Sequence, residues 1–254
     1  MEGISKNRIK LVQSLSKKKE RDERGWFVAE GHKLVNDLLL AYPCVMLFAT
    51  SDYLSKYRGL INTDQVYEVD KKELNQLSLL CAPQSVIAVF EKLHQDIDKN
   101  VISKQLSLML DTLQDPGNLG TIIRIADWFG IENIICSKDT VDVYNPKVVQ
   151  ATMGAMARVK VHYVELEEFL SSLTDIPVYG TFLEGDDIYA CDLNPCGVIV
   201  MGNEGKGISP SIEKFINKKL YIPNYPKSRE TTESLNVAVA TAITCSEFRR
   251  RMKM

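Results

Sequence analysis

The sequence predicts an α/β protein of two domains. Apolar segments with the character of strands alternate with helical segments, and a polar stretch over residues 91–104 interrupts this alternation. The 254 residues, of which 45% are hydrophobic, are enough to fill two hydrophobic cores. We therefore expect a small α/β domain over residues 1–98 and a larger one over residues 99–254.

The smaller domain is predicted from helical and extended patterns that alternate four times. At its start, Ile9, Val12 and Leu15 recur at helical spacing. Further helices are expected over residues 32–41, after Asp52 and from Lys71, with a short apolar run at 26–28 and strands over 45–49, 65–69 and 85–90.

The larger domain repeats the alternation with more apolar strands. Strands are expected over residues 106–113, 133–137, 159–164, 178–183, 198–201 and 220–222, and helices over 119–129, from Pro146 and over 234–251. The uninterrupted apolar segment Gly197–Met201 is typical of a strand that is buried on both faces of a parallel sheet.

The net charge of −2 conceals a basic amino-terminal segment. Residues 1–24 contain eight Lys or Arg against four Asp or Glu, a local +4 that leaves −6 for the rest of the chain. Such clusters suit phosphate backbones, although solvated helix faces carry similar runs. The residues predicted to contact such a backbone are Lys17, Lys18, Lys19, Arg21 and Arg24, and a second basic group at the other end consists of Arg249, Arg250, Arg251 and Lys253.

Other classes of protein are disfavoured by composition. The sequence contains neither a long apolar segment that could span a membrane nor an amino-terminal leader pattern, so we expect a cytoplasmic protein. The six cysteines form no C-x-x-C pair and only three histidines accompany them, so neither a metal site nor a disulfide framework is expected.

Three polar loops each follow an apolar strand, at the strand end where parallel α/β sheets place ligand sites. The first loop opens a helix with residues 115–124, DPGNLGTIIR. Within it, Asn118 is either a helix cap or a ligand contact. Arg124 falls within the first two turns of that helix, where an unpaired guanidinium group is a poor core residue. It is therefore a candidate to contact a phosphate or a carboxylate.

The second loop, residues 201–208 (MGNEGKGI), has three glycines that permit either close ligand approach or a plain turn. It does not match a phosphate-binding P-loop, because Gly207 and not Ser or Thr follows Lys206, and it lacks the third glycine of a dinucleotide fingerprint. A nucleotide-hydrolysing enzyme is thereby disfavoured. Glu204 would repel a phosphate and suits a hydroxyl, an amine or an arginine.

The third loop leads from Ile222 to the last predicted helix, and Ser234 is a possible cap of that helix. Ala238, Ala240 and Ala242 make the helix nearly apolar all round. We therefore expect it to be buried, either inside the domain or against a second subunit.

The strings DPGNLGTIIRIADWFG, GNEGKGI, and IP followed by SLNVAVATA occur in this order in the second domain. As an ordered set they resemble the three signature motifs of the SpoU/TrmH branch of the SPOUT methyltransferase superfamily. The resemblance implies methylation of a ribose 2′-hydroxyl in structured RNA, with S-adenosylmethionine as the cofactor. It further implies a deep trefoil knot near the carboxyl end of an α/β domain, and a homodimer through that domain. Knots are so rare that no periodicity predicts one.

The resemblance also assigns roles to residues of this sequence. It implies catalytic or substrate roles for Asn118, Arg124, Glu204, Ser234 and Asn236, and cofactor contacts for Thr181, Gly202, Ile222 and Leu235. We expect Arg124 to clamp an RNA phosphate and to stabilise negative charge on the ribose oxygen, because a guanidinium group keeps its proton at neutral pH. Asn118 and Glu204 are expected to orient Arg124 and the ribose, while Ser234 and Asn236 fix the substrate or the last loop.

The first domain carries a looser resemblance. Its segment FVAEGHKLVNDLL, residues 27–39, is similar to substrate-binding domains that are fused to these enzymes and that share a fold with ribosomal proteins. This favours ribosomal RNA over transfer RNA as the substrate. A tRNA ribose methyltransferase, a base methyltransferase of the same architecture and a non-catalytic RNA-binding module remain as alternatives.

Overall fold

The computed structural model describes residues 4–226, 232 and 234–251. The chain divides into two compact units, which we call unit 1 and unit 2. Unit 1 contains residues 4–94 and the separate segment Asp142–Arg158, and unit 2 contains the described residues of 95–141 and 159–251. The first change of unit, after His94, lies four residues before the boundary expected from the sequence.

Residues 4–94 contain the helices and strands that the sequence pattern predicts, together with one helix that it does not predict, Lys18–Arg24. The helices are α1 (Lys6–Ser14), α2 (Lys18–Arg24), α3 (His32–Leu39), α4 (Ser51–Tyr57) and α5 (Lys71–Leu77), and the strands are β1 (Trp26–Glu30), β2 (Cys44–Ala49), β3 (Val66–Glu68) and β4 (Val86–Glu91). A short 3-10 helix, Arg58–Leu60, follows α4.

The four strands of unit 1 form one sheet in the order β1-β4-β2-β3. β4 pairs antiparallel with β1 and with β2, whereas β2 and β3 are parallel. Val28, Phe48 and Ile87 from this sheet are buried in one apolar cluster, together with Leu15 and Leu77 from the helical layer. Burial of this cluster is the main source of stability for the sheet and its helices.

Residues 95–251 contain the remaining elements. The helices are α6 (Lys99–Ile102), α7 (Pro116–Trp128), α8 (Pro146–Ala151), α9 (Leu166–Ser171), α10 (Pro210–Glu213) and α11 (Val237–Arg251), and the strands are β5 (Leu106–Leu110), β6 (Asn133–Ser137), β7 (Lys160–Val164), β8 (Val178–Phe182), β9 (Asp186–Asp187), β10 (Gly197–Met201) and β11 (Lys218–Tyr221).

The strands of unit 2 form a parallel sheet in the order β7-β6-β5-β10-β8-β11-β9. All five residues of β10 are buried between β5 and β8, as its apolar sequence predicts. Helix α11 begins three residues later than expected from the sequence, at Val237, and packs against α7. The short helices α6, α9 and α10 were not predicted, because four to six residues carry little periodic signal.

The segment Asp142–Arg158 belongs to unit 1 although it follows two strands of unit 2 in sequence. Its helix α8 packs against β1, and its 3-10 turn, Ala155–Ala157, packs against α3. The Tyr42 hydroxyl donates a hydrogen bond to the Met156 carbonyl oxygen at 3.2 Å. Gly154 has a φ of +98°, and a Cβ there would lie 2.1 Å from a carboxylate oxygen of Asp37. Only glycine therefore allows this close approach.

Arg21, a residue of α2, binds the segment Asp142–Arg158 through Asp142. Its side chain is 2% exposed, and its Nε and Nη2 atoms donate to Oδ2 of Asp142 at 3.2 and 2.7 Å. Its Nη1 atom donates to the carbonyl oxygens of Leu15 and Ser16 at 3.0 and 2.9 Å. The guanidinium group is thus buried and engaged inside unit 1. Arg21 therefore has to be removed from the predicted RNA-binding set.

The other members of that set lie on the surface of α2 and the turn before it. Lys17, Lys18, Lys19 and Arg24 are exposed. The Lys19 and Arg24 side chains form ion pairs within the helix, at 3.7 and 3.3 Å from Glu23 and Glu20. Exposed pairs of this kind are weak enough to be exchanged for a phosphate contact.

The basic group at the carboxyl end of the chain is structural rather than free. Arg250 and Arg251 both donate to the buried carboxylate of Glu247. Arg249 donates to the carbonyl oxygens of Phe129 and Gly130, just beyond the end of α7, at 2.7 and 3.0 Å. Lys253 lies outside the described residues. The described arginines of this basic group therefore serve to hold α11 in place within unit 2.

Within the part of the chain that the structure describes, none of the helices combines the length and the apolar character that a membrane span requires.

Replacing Arg21 by alanine should destabilise the protein. The substitution leaves the Asp142 carboxylate and two carbonyl oxygens without their partner, at a cost of about 3 kcal/mol. Urea denaturation should show this loss for Arg21→Ala, whereas Arg24→Ala on the same helix removes only an exposed pair and should cost less than about 1 kcal/mol. Equal effects of the two substitutions would contradict the structural role of Arg21.

Candidate functional site

The strand order of unit 2 brings the predicted loops together. β5, β10, β8 and β11 are neighbours in this parallel sheet, so their carboxyl ends lie along one edge. The three polar loops singled out in the sequence follow β5, β10 and β11. This edge is where open α/β sheets bind their ligands.

The first loop is organised by a helix cap. The Asp115 side chain accepts a hydrogen bond from the backbone N–H of Asn118 at 2.8 Å, and Pro116 occupies the first turn of α7. Asp115 and not Asn118 is therefore the cap. The Asn118 side chain is left available for contacts outside its own helix.

Asn118 joins residues from the other two loops. Its Nδ2 atom donates to Oε1 of Glu204 at 3.0 Å, and its Oδ1 atom accepts from Nδ2 of Asn236 at 3.0 Å. The Asn236 Oδ1 atom in turn accepts from the backbone N–H groups of Ala238 and Val239, so Asn236 caps α11. We call Asn118, Glu204 and Asn236 the Asn118 cluster. Three of the five residues with predicted catalytic or substrate roles are thus brought together.

The second loop has a fixed backbone. Asn203 and Gly207 exchange two backbone hydrogen bonds of 2.9 Å, and Oδ1 of Asn203 accepts from the N–H groups of Gly205 and Lys206. Its Nδ2 atom donates to the Thr112 carbonyl oxygen at 2.8 Å, which ties this loop to the first one. A Cβ at Gly202 would lie 2.2 Å from the carbonyl carbon of Gly207. The predicted cofactor contact Gly202 is therefore also required by the turn itself.

Asp111 provides a second tie, between the end of β5 and the residue that follows the second loop. It follows β5 directly, is buried, and accepts hydrogen bonds from Thr112 Oγ1 at 3.0 Å and from the Ser209 N–H at 2.7 Å. Sequence reasoning missed both Asp111 and Asn203. The available signals were a carboxylate directly after a buried strand and an amide inside a glycine-rich turn.

Residues with predicted cofactor contacts lie along the same edge. Thr181, in β8, is half-buried and donates to the Val200 carbonyl oxygen at 3.5 Å, and Ile222 is half-buried at the end of β11. Leu183 and Leu235 expose 66% and 48% of their side chains. Apolar side chains exposed beside polar strand ends suit a ligand with a flat apolar part and several polar groups. S-adenosylmethionine, with its adenine and its hydroxyl and amino groups, fits this set of residues.

Two predicted site residues do not join the Asn118 cluster. Arg124 is exposed and has no hydrogen bond or ion pair with another described residue. It follows Asn118 by six residues, which turns it about 120° away around α7 and moves it about 9 Å along the axis. The expectation that Asn118 and Glu204 orient Arg124 is therefore not met within the chain. Ser234 is exposed, and no side-chain hydrogen bond links it to another described residue.

Comparisons with known families agree with these observations. The model of the SpoU rRNA methylase family matches residues 105–246, and the model of the MRM3-like substrate-binding domain matches residues 6–88. A Bacillus subtilis protein named 23S rRNA (guanosine(2553)-2′-O)-methyltransferase is 29% identical over 246 residues, which cover 96% of each chain.

Solved structures are similar over the full length. A protein of the TrmH family from Porphyromonas gingivalis has a TM-score of 0.89 at 40% identity, covering 99% of this chain and 100% of its own. An AdoMet-bound rRNA methyltransferase from Sinorhizobium meliloti has a TM-score of 0.88 at 28% identity, covering 100% of this chain and 98% of its own. With its family model matched over more than half of its length and its three motifs at one sheet edge, this chain belongs to the SpoU rRNA methylase family.

Proposed function

We propose that this protein transfers a methyl group from S-adenosylmethionine to a ribose 2′-hydroxyl of 23S ribosomal RNA, and that it does so in the cytoplasm. The observation that carries the proposal is the Asn118 cluster, in which three loops meet at the ligand-binding edge of the sheet. The choice of 23S ribosomal RNA as the substrate is supported by two relatives that are named as 23S rRNA guanosine 2′-O-methyltransferases.

The chemistry requires a ribose oxygen that is aligned and made more nucleophilic. When bound, S-adenosylmethionine supplies an activated methyl group. Glu204 uses Oε1 for Asn118, and its other oxygen remains available to accept a hydrogen bond from a ribose hydroxyl. Asn118 and Asn236 hold that carboxylate in place, so the cluster can orient the ribose before transfer. The hydroxyl proton leaves to a phosphate oxygen or to water.

Arg124 has the charge needed to bind the adjacent phosphate and to stabilise negative charge on the ribose oxygen. In its own chain it points away from the Asn118 cluster, and it shares a face of α7 with Trp128, one helical turn further on. We therefore infer that Arg124 serves the site of a second subunit. Ser234, together with the loop that precedes α11, is proposed to contact the substrate.

The dimer is proposed to form through α7 and α11. Trp128 is 85% exposed on α7, and Val239 is 49% exposed on α11, which packs beside it. A two-fold axis through this face would cover both apolar side chains and bring each Arg124 towards the partner subunit.

The deep trefoil knot is likewise a proposal. It is supported by β10 lying between β5 and β8, and by the return of α11 to α7.

Unit 1 is proposed to hold the RNA. Lys17, Lys18, Lys19 and Arg24 remain the proposed phosphate contacts of its amino-terminal surface, because they are exposed and basic.

The function is tested by incubating the protein with a 23S rRNA transcript and methyl-labelled S-adenosylmethionine, followed by digestion to nucleosides. A 2′-O-methylated nucleoside is the expected product. Label on a base would identify a base methyltransferase, and RNA binding without any transfer would identify a non-catalytic module.

Replacing Asn118 by aspartate should impair turnover, because it places a second carboxylate against Glu204. Two carboxylates this close raise the pKa of one of them, and its protonated form regains a hydrogen-bond donor. We expect turnover to fall by about 10²-fold at neutral pH and to recover as the pH falls, relative to the wild type. Single-turnover methylation across pH measures this. Gln114→Glu, an amide-to-acid change in the same loop, is the control and should have little effect.

Replacing Arg124 by lysine should be nearly as damaging as replacing it by alanine. Lysine keeps the charge but lacks the planar pair of donors that binds a phosphate oxygen pair. Turnover should fall by about 10² to 10³-fold in both variants, with cofactor affinity and melting temperature unchanged, because Arg124 has no described partner to lose. Near-normal turnover of Arg124→Lys would rule out the clamp.

Replacing Val239 by glutamate should separate the dimer, because a charge would be buried in its apolar face. Light scattering should report a dimer for the wild type and a monomer for the variant. Leu40→Glu, at a leucine of unit 1 that is 75% exposed, is the matched control and should leave the dimer intact.

The same dimer has a catalytic consequence. If Arg124 acts across the interface, a mixed dimer of Arg124→Ala and Asn118→Asp chains has one site with both native residues. Mixing and re-associating the two impaired variants should therefore restore part of the activity at neutral pH. A wild-type monomer, or no restoration in verified mixed dimers, would contradict the shared site.

A further inference from the structure

A cavity of about 500 Å³ lies wholly within unit 1, and neither the cofactor nor the transfer step uses it. We call it the unit 1 pocket. It is bounded by α4, the first part of α5, the start of α3 and the residues that precede β4. Its volume falls within the range of about 300 to 1,000 Å³ in which proteins bind small ligands. The lining residues that matter here are Lys56, Tyr57, Lys71, Asn75 and Gln84.

An aromatic ring forms one wall of the pocket. Tyr57 is half-buried, and its ring lies 4.8 Å from that of Tyr53, centroid to centroid. Tyr53 is 3% exposed and is fixed by the hydrogen bond that its hydroxyl donates to Oδ1 of Asn36 at 2.6 Å. The Tyr57 ring therefore packs against a fixed neighbouring ring. Such a fixed ring is a platform on which a nucleic-acid base can stack.

Two lysines line the same pocket. The exposed Lys56 side chain lies over the Tyr57 ring, with its Nζ atom 5.3 Å from the ring centroid, so a base that stacks there displaces this ammonium group towards a flanking phosphate. Lys71 is the first residue of α5. Neither lysine forms an ion pair with a described residue, and the pocket contains one carboxylate, Asp52, against these two cations. The balance of charge favours an anionic ligand such as a phosphodiester.

Two amide side chains face the same pocket. The Nε2 atom of Gln84 donates to the Ala82 carbonyl oxygen at 3.1 Å, which fixes the side chain and leaves Oε1 available. Asn75 is exposed on α5 and has no hydrogen bond to another described residue. Amides can both donate and accept, and therefore suit the hydrogen-bonding edge of a base.

We propose that the unit 1 pocket binds a single nucleotide of the RNA substrate that is turned out of its helix. The base stacks on Tyr57, Asn75 and Gln84 contact its edge, and Lys56 and Lys71 bind the flanking phosphates. A base that stays paired within an RNA helix is stacked on both faces and cannot use such a platform, so the nucleotide must be extruded or unpaired. The proposal rests on the proposed function only in taking ribosomal RNA as the ligand.

The test is the affinity of the full-length protein for a 23S rRNA transcript, measured by filter binding over a range of salt concentrations. Tyr57→Ala should weaken binding by about five- to 150-fold, the cost of losing one stacked base. Tyr57→Phe keeps the ring and should bind within about twofold of the wild type. Lys56→Ala and Lys71→Ala should each lower the slope of log affinity against log salt by about 0.7 to 0.9. Lys72→Ala, at the next residue of α5, is the matched control and should leave the slope unchanged.

Melting curves and S-adenosylmethionine affinity of each variant serve as checks of folding. If Tyr57→Ala does not fold, Lys56→Ala and Lys71→Ala keep the test valid, because unchanged salt slopes in both would also overturn the proposal. Unchanged RNA binding by a folded Tyr57→Ala variant would overturn the proposal. So would micromolar binding of free GMP or UMP in the pocket without any effect of the variants on RNA, since that would indicate a site for free nucleotides. A wild-type protein that binds the transcript but transfers no methyl group would contradict the proposed function instead, and the pocket would then be judged by binding alone.

Discussion

The side-chain amide of Asn118 is the contact on which the arrangement of the site depends. It donates to Glu204, which is 86 residues away in sequence, and it accepts from Asn236, which is 118 residues away. The bridge needs a group that donates and accepts at once, and an amide is such a group. The parallel sheet makes the contact possible, because it places β5 directly beside β10.

Around this contact, a second set of polar groups fixes the loops themselves. Asn203 ties the glycine-rich turn to the Thr112 carbonyl oxygen, and Asp111 ties the end of β5 to the Ser209 N–H. Gly202 permits the tight turn that a side chain would prevent. Loops held in this way need little reordering when a ligand arrives, so binding energy is conserved for aligning the ribose with the methyl donor.

The sequence predicted those features that depend on local pattern. The strand Asn133–Ser137 matched to the residue, and the central strand Gly197–Met201 was recognised to within one residue because it is apolar throughout. The meeting of Asn118 with Glu204 and Asn236 was implied by motifs, not by spacing. Their contacts join residues far apart in the chain, and periodicity carries no information on which strands become neighbours.

Two differences between the sequence-based expectations and the structure have the same physical origin, which is a contact between residues far apart in the chain. In the sequence, Arg21 is one of several cations in a basic run. Its partner Asp142 lies 121 residues further on, and the ion pair with Asp142 holds the Arg21 side chain in the interior of unit 1. The segment Asp142–Arg158 packs with unit 1 because α8 and Gly154 fit against β1 and Asp37, which no local pattern indicates. For Arg124, the helical geometry of α7 separates it from the cluster that the motifs suggested it would join.

We propose that the loops after β8, β10 and β11 together hold the methyl donor, beside the Asn118 cluster. Hydrogen–deuterium exchange with and without S-adenosylmethionine measures this, because it reports on each segment separately. We expect slower exchange over residues 181–185, 202–208 and 220–224 when the cofactor is bound, with no change over residues 26–91 of unit 1. Protection confined to unit 1, or none at the carboxyl ends of these strands at saturating cofactor, would contradict it.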